Sequence, residues 1–144
     1  MMGYYVEYEI NVIIPKENEG DVLKAINHLH DPEVMQKNAS GGSWQGGERK
    51  EVWYSWTDNP PAGGFPSVEH ALRAWRFQPC YLDGELTFCF EGEKLGDEEK
   101  LFEAIAPYIT GDIYARGGDG CEWGFRFNFD KMVTLRCTKT WEEV

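Results

Sequence analysis

The sequence predicts an α+β fold, built as a single mainly antiparallel sheet with helices packed on one face, in the order β-α-β-α-β-α-β-β-β. Three stretches lead to this prediction. Residues 86–90 alternate large apolar and polar side chains, which is the period of a strand. Residues 101–109 carry apolar side chains at helical spacing on one side only. Residues 123–129 place four aromatic side chains on one strand face, a large block of core.

The chain begins with a strand and a helix. Apolar side chains at every second position predict a strand over residues 4–14, which Pro15 ends. Asn18 is the expected N-cap of the next helix, and Asp31-Pro32 closes it because a residue before proline avoids helical backbone angles. The apolar stripe of this helix consists of Val22, Ile26 and Leu29.

Within residues 33–50, Val34 and Met35 are compatible with a short helical turn. The following stretch, NASGGSWQGGERK, contains four glycines and no periodicity, so a flexible loop around Trp44 is expected. Trp44 is either an anchor for a partner or a plug at the edge of the core. A strand, aromatic on both faces, follows over residues 51–57. Ser67 then caps a short helix with an apolar face formed by Val68, Leu72 and Trp75, and Pro79 ends that helix.

The second half continues from the strand at 86–90 to a helix with Asp97 as its N-cap. Glu98 and Glu99 suit the positive end of that helix. A strand over residues 112–116, the aromatic strand and a returning strand that carries Val133, Leu135 and Cys137 complete the predicted sheet. We expect the aromatics at 123–129 to share one buried face with those at 86–90.

Length and charge bound the possible functions. A chain of 144 residues is expected to form one domain over 1–144. Its net charge of −11 is spread over both halves. Such a charge repels nucleic acid and anionic membranes and favours basic partners. The simplest alternative is that the charge serves solubility alone.

No segment predicts a membrane anchor or a secretory signal, so a soluble protein in the cytoplasm is expected. The four cysteines have no metal-binding spacing and are expected as reduced thiols. His28 and His30 lie two apart on a helix and do not face one ligand. The acidic run 91–99 lacks the pattern of a calcium loop. No catalytic residue, metal site or cofactor is predicted.

Two segments carry a resemblance: GELTFCFEGEKLGDEEKLFEAIAPYI and GGDGCEWGFRFNFDKMVTLRCTKTW. Together they resemble small acidic proteins encoded by bacteriophages and mobile elements of gut bacteria. The matching features are the helix end at 105–109, the turn and strand at 119–123 with Phe127, and Trp141 in the closing strand. The resemblance implies a phage accessory protein in a bacterial host, a context in which small acidic proteins often inhibit host defence, as anti-CRISPR proteins do. It implies no catalytic residue.

The leading functional hypothesis is therefore a non-enzymatic inhibitor of a host defence factor, which uses an acidic face to cover a basic nucleic-acid-binding surface such as that of a CRISPR effector. The alternative is a receptor for a small ligand, or a sponge for a nucleotide signal, with aromatic stacking and arginine–phosphate contacts. The residues expected to bind the partner are Glu7, Glu9, Trp44, Trp53, Glu91, Glu93, Asp97, Glu98 and Glu99. Those expected for the alternative ligand are Trp53, Tyr114, Arg116 and Arg126.

Overall fold

The computed structural model describes residues 3–144 and confirms the α+β class. Met1 and Met2, which belong to the predicted domain and to the amino terminus considered above, lie outside the described residues. The helices are α1 (Glu19–Leu29), α2 (Pro32–Asn38), α3 (Val68–Ala74) and α4 (Glu98–Ile105). The strands are β1 (Val6–Ile13), β2 (Gly41–Gln45), β3 (Glu48–Trp53), β4 (Phe77–Leu82), β5 (Glu85–Phe90), β6 (Thr110–Gly117), β7 (Glu122–Asn128) and β8 (Val133–Arg136).

The main sheet has four antiparallel strands in the spatial order β1-β6-β7-β8. Its inner face packs on the helices: the ring of Phe102 on α4 lies 5.7 Å from Phe125 and 5.7 Å from Tyr8. The apolar stripes predicted for α1 and α3 are buried, as are Leu101, Phe102 and Ile105 on α4. The helices therefore cover one face of this sheet and leave the other face open.

The prediction of a single sheet is wrong in part. β2 pairs with β3, and β4 pairs with β5, in two separate two-stranded sheets. Pro79 does not end a helix but lies within β4, opposite Phe88. A proline is tolerated there because β4 is an edge strand and needs no N–H donor on its free side. β5 joins the main sheet only at its margin, through a hydrogen bond from Ile14 N to Leu86 O of 2.8 Å.

The flexible loop predicted around Trp44 is also wrong, whereas the helical turn considered for Val34 and Met35 lies within α2. Pro32 begins α2 as its first helical residue, and the glycine-rich stretch forms the β2–β3 hairpin. Arg49 on β3 reaches back to the carboxyl end of α2, where Nη1 donates to Ala39 O at 2.7 Å and Nη2 to Gln36 O at 2.9 Å. A cation at this helix end satisfies carbonyl groups that have no partner within the helix.

Three helix caps were predicted, and one is confirmed. Ser67 accepts a hydrogen bond from His70 N, as expected for an N-cap. Asn18 makes no capping hydrogen bond; its Nδ2 donates to Tyr108 O at 3.0 Å. Asp97 precedes α4 but makes no capping hydrogen bond either, because its carboxylate binds elsewhere.

The prediction for the aromatic strands gives the correct alternation of buried and exposed side chains but extends the strands too far along the chain. Phe125 and Phe127 are buried with Leu86 and Phe88, whereas Phe129 is 47% exposed. β7 ends at Asn128, and Phe129 has a positive φ of 58°, which turns its side chain out of the strand pattern. The strand predicted at 51–57 ends early for a related reason: Trp56 has a φ of 63° and is 54% exposed.

Candidate protein-binding face

The open side of the four-stranded sheet, called here the outer face, collects several of the residues predicted to bind. Pairing between β1 and β6 places Glu7 opposite Arg116 and Glu9 opposite Tyr114. Side chains directly opposite one another in an antiparallel pair have Cβ atoms roughly 5 Å apart. The outer face comprises Glu7, Glu9 and Asn11 on β1, Asp112, Tyr114 and Arg116 on β6, Glu122, Gly124 and Arg126 on β7, and Val133 and Leu135 on β8.

Gly124 opens a groove in the middle of this face. A Cβ atom here would lie 2.9 Å from Ile113 O and 3.2 Å from Tyr114 Cδ1, so a side chain would collide with the backbone and displace the tyrosine. Tyr114 and Leu135 flank the glycine on the two neighbouring strands. The groove has a volume of about 600 Å³ and runs from β1 to Cys137, just beyond β8.

One arginine of the groove is already paired. Arg126 donates from Nε to Asp112 Oδ1 at 2.9 Å and from Nη2 to Asp112 Oδ2 at 3.0 Å, and Tyr114 OH donates to the same carboxylate at 2.7 Å. The hydrogen bond from Arg126 lowers the pKa of Asp112, and the hydrogen bond to Asp112 raises the pKa of Tyr114. This bidentate pair neutralises Arg126 and holds Tyr114 in place.

Other charges of the groove have no ionic partner. Among residues 3–144, Glu7, Glu9 and Arg116 form no ion pair within 4.0 Å, and Glu9 accepts only a hydrogen bond from Asn11 Nδ2 at 3.3 Å. All three side chains are exposed. The carboxylate of Glu9 therefore lies directly opposite an exposed aromatic ring, an arrangement that suits the side chain of a lysine or arginine.

The remaining acidic residues predicted to bind a partner are not on the outer face. Glu91 and Glu93 are exposed on the segment that pairs with the start of β1, where Val6 N donates to Glu93 O at 3.0 Å. Tyr5 pairs with Lys94 in an isolated bridge, so this segment runs beside the start of β1 and outside the four-stranded sheet. Glu99 is exposed in the first turn of α4.

Asp97 and Glu98 serve the fold rather than a partner surface. Asp97 Oδ2 accepts hydrogen bonds from Ser40 N at 3.1 Å, Ser40 Oγ at 3.0 Å and Ser55 N at 2.9 Å, and so ties the β2–β3 hairpin to the start of α4. Glu98 is 1% exposed and lies 2.9 Å from Arg76 Nη2. A carboxylate buried in this way does not reach a docking protein, so the prediction for Glu98 is wrong.

The two tryptophans of the predicted partner surface lie in the β2–β3 hairpin, in a different sheet from the groove. Trp44 is 69% exposed, which contradicts the interpretation of this residue as a core plug. Trp53 is half-buried over Gly41, where an added Cβ would lie 2.6 Å from the indole. The alternative ligand set is therefore divided: Tyr114, Arg116 and Arg126 lie together, and Trp53 does not join them.

Sequence reasoning missed the glycine and the leucine that shape the groove. The one available signal was Gly124 within the run of alternating aromatics, where a polar outward residue was expected. Leu135 was assigned to the returning strand, but nothing in its pattern showed which face it occupies.

Within residues 3–144, no group of three or more His, Cys, Asp or Glu side chains is arranged to hold a metal ion. Cys80, Cys89, Cys121 and Cys137 are exposed free thiols. No described helix is both long and apolar enough to cross a membrane. Comparison with protein-family models, curated proteins and solved structures gives no match for this chain.

Proposed function

We propose that this protein is a binding protein that covers a basic surface of another protein with its outer face. The observation that carries the proposal is the carboxylate of Glu9, which forms no ion pair among the described residues and lies directly opposite the fixed ring of Tyr114. Glu7 lies two residues away on the same face. A lysine or arginine of the partner would lie over this ring and bind the carboxylate of Glu9. An exposed cation–π contact contributes about 0.5–1 kcal/mol, and more when the partner desolvates it.

The charge of the whole chain supports the same kind of partner. A net charge of −11 speeds the approach of a positively charged surface and slows that of nucleic acid. A basic surface that normally holds nucleic acid would be blocked once this protein occupies it. The resemblance to phage accessory proteins adds a biological setting, in which the blocked surface belongs to a host defence protein such as a CRISPR effector.

Capture from a bacterial host lysate tests this proposal. The wild-type protein should retain nucleic-acid-binding or immune proteins at low salt and release them as the ionic strength rises. The double variant Glu7→Gln/Glu9→Gln should retain at least tenfold less. The matched control is Glu17→Gln/Glu33→Gln, which removes the same charge from two exposed sites on other elements.

Two results would contradict the proposal. Equal loss of capture in both double variants would show that only the total charge matters. If the protein captures no basic protein at low salt, the proposed class of partner is contradicted.

A second candidate, a receptor for a small anionic ligand, has one observation in its favour. Arg116 is exposed in the groove without an ion pair among the described residues, next to the ring of Tyr114. Glu7 and Glu122 lie directly opposite it on the neighbouring strands, which weakens its attraction for a phosphate. Thermal denaturation with a panel of nucleotides separates the two functions, because only a receptor gains stability from the ligand.

A further inference from the structure

We infer that Cys80 and Cys89 together form a two-coordinate thiolate site for a soft monovalent metal ion, Cu(I). The two thiols lie on the β4–β5 hairpin, in a different sheet from the outer face, so the site is independent of the proposed protein-binding face.

The strand register brings the two cysteines together, although they are nine positions apart in the sequence. Cys80 on β4 lies opposite Thr87, and Cys89 on β5 lies two residues beyond Thr87, opposite Gln78. Residues two positions apart on a strand share a face, so Cys80 and Cys89 are diagonal neighbours on one face of the hairpin. Both are exposed free thiols.

The hairpin holds this face in a fixed position. Its opposite face is anchored in the core by Phe77 and Phe88, which are both buried. The turn residues Asp83 and Gly84 have positive φ angles of 53° and 82°, as in the two-residue turn that matches the twist of a hairpin. The two thiols therefore have a rigid support, which lowers the entropy lost when they bind an ion.

The thiol of Cys89 is directed toward the strand that carries Cys80, because Cys89 Sγ donates to Gln78 O on β4 at 3.9 Å. Partial burial raises the pKa of Cys89, and the negative charges of a Cys80 thiolate and of Glu91 raise that pKa further. The charge of one thiolate thus opposes ionisation of the other. A cation between the two sulfur atoms removes this repulsion, and both thiol protons leave to solvent as the two metal–sulfur bonds form.

The separation of the two positions favours a bridging ion over a disulfide. Diagonal positions across an antiparallel pair are about 7–8 Å apart, whereas a disulfide requires Cα atoms within roughly 7 Å of each other. Two metal–sulfur bonds of about 2.3 Å each place the sulfur atoms up to about 4.5 Å apart. Rotation of the two cysteine side chains toward one another brings their sulfur atoms to that separation without movement of the backbone.

The number of ligands selects the ion. Among residues 3–144, no third His, Cys, Asp or Glu side chain joins Cys80 and Cys89 in a metal-binding cluster. A structural Zn²⁺ site needs four ligands, so two thiolates alone hold Zn²⁺ weakly. Thiolate is a soft ligand that selects Cu(I), and two sulfur atoms on opposite sides of the ion complete a linear Cu(I) site.

Competition with the chromogenic Cu(I) chelator bicinchoninate, without oxygen or thiol reductants, tests the site on the full chain. The wild-type protein should remove one Cu(I) per chain from the chelator. Cys80→Ser and Cys89→Ser should each weaken Cu(I) binding at least tenfold. The matched control is Cys121→Ser/Cys137→Ser, which removes two exposed thiols next to β7 and β8 and should leave the affinity unchanged.

Alkylation of the wild-type chain gives a second measurement that needs no substitution. Iodoacetamide followed by mass spectrometry should show all four cysteines modified in the metal-free protein. Cu(I) should protect Cys80 and Cys89 and leave Cys121 and Cys137 reactive. X-ray absorption at the copper edge should show two sulfur neighbours and no third ligand.

Several results would overturn the Cu(I) site. Equal loss of Cu(I) binding in the control double variant would show that any exposed thiols suffice. One Cu(I) for every two chains would assign the ion to a contact between copies. Zn²⁺ binding as tight as Cu(I) binding would contradict a site of two ligands. Protection of all four cysteines from alkylation, or of none, would contradict the pairing of Cys80 with Cys89.

Discussion

Two arginine–carboxylate pairs in this protein have the same separation and opposite surroundings. Arg76 Nη2 lies 2.9 Å from Glu98 Oε2, and Arg126 Nε lies 2.9 Å from Asp112 Oδ1. The side chain of Glu98 is 1% exposed, whereas that of Arg126 is 58% exposed. The distance between the charged atoms therefore does not determine how much each pair contributes to the stability of the fold. The free energy cost of removing the charges from water differs between the two pairs.

The buried pair is supported by further polar contacts. Arg76 Nη1 donates to Lys94 O at 2.7 Å, and Gly96 N donates to Glu98 Oε2 at 2.8 Å. Burial raises the pKa of Glu98, and the charge of Arg76 opposes that rise. The guanidinium also lies 5.0 Å from the ring centre of Phe90. Removal of one partner would leave the other charged group buried with incomplete compensation.

The largest expected effect on stability is that of Arg76→Met, and Arg126→Met is its exposed counterpart. Arg76→Met should lower the free energy of unfolding by about 3–5 kcal/mol, because Glu98 stays buried without its counter-charge. Arg126→Met should lower it by less than about 1 kcal/mol, because Asp112 remains in contact with water. Urea denaturation of both variants measures the difference.

A double variant sharpens this result. Arg76→Met/Glu98→Leu removes both charges and should be more stable than Arg76→Met alone. If Arg76→Met and Arg126→Met lose equal stability, burial does not determine how much these two ion pairs contribute to the free energy of unfolding.

Asp97 provides the second test, since it lies next to Glu98 and was expected to cap a helix. A cap would contribute about 1 kcal/mol. Its observed role, accepting three hydrogen bonds from Ser40 and Ser55, predicts a loss of about 2–3 kcal/mol in Asp97→Ala, because the backbone donors at 40 and 55 lose a charged acceptor. Glu99→Ala is the control and should cost less than about 0.5 kcal/mol. A loss of only about 1 kcal/mol in Asp97→Ala would favour simple capping.

These cases show which parts of the structure the sequence predicts. Strands and helices with a periodic apolar face were placed correctly because burial enforces that period, as at Val22, Ile26 and Leu29. Asp97 was misread because its donors are 42 and 57 positions away, and no local pattern reveals such partners. The ion pair between Arg76 and Glu98 escaped notice for the same reason.

The β2–β3 hairpin was missed for a different reason. Glycines usually indicate a loop, but here they allow close packing within a strand. A Cβ at Gly42 would lie 2.4 Å from Glu51 O, so no other residue fits there without a shift of the backbone. For the candidate site, the sequence grouped Tyr114, Arg116 and Arg126 as residues of one ligand set, but the pairing that brings Glu9 opposite Tyr114 depends on the strand register.

His30 gives the third prediction, which concerns pH. It packs against Tyr54, Phe65 and Trp75, and Trp75 Nε1 donates to His30 Nε2 at 3.1 Å. Burial lowers the pKa of His30 from 6.5 to about 4. Between these two values the unfolded chain binds a proton that the folded chain does not, so stability should fall as the pH decreases from 6.5 to 4.

The contribution of His30 to this acid loss should be about 2 kcal/mol, after allowance for its partial exposure. His30→Gln should show a correspondingly smaller decrease in the unfolding free energy over the same pH range. His28→Gln is the control, because His28 is exposed and lies 2.8 Å from Asp31. An unchanged pH dependence in His30→Gln would mean that other groups cause the acid loss.

Trp44 gives the smallest expected effect on stability and extends the comparison from charged to aromatic side chains. Trp75 is fully buried, so Trp75→Ala should cost about 3–5 kcal/mol. Trp44 is 69% exposed, so Trp44→Ala should change the free energy of unfolding by less than about 0.5 kcal/mol.

The exposed indole of Trp44 is available for a second contact with the partner, in a different sheet from the groove. If it serves as such an anchor, Trp44→Ala should weaken partner binding by about 2 kcal/mol or more while thermal unfolding stays unchanged. Unchanged binding would confine the partner contact to the outer face. A loss of stability near that of Trp75→Ala would show that the indole is buried in solution.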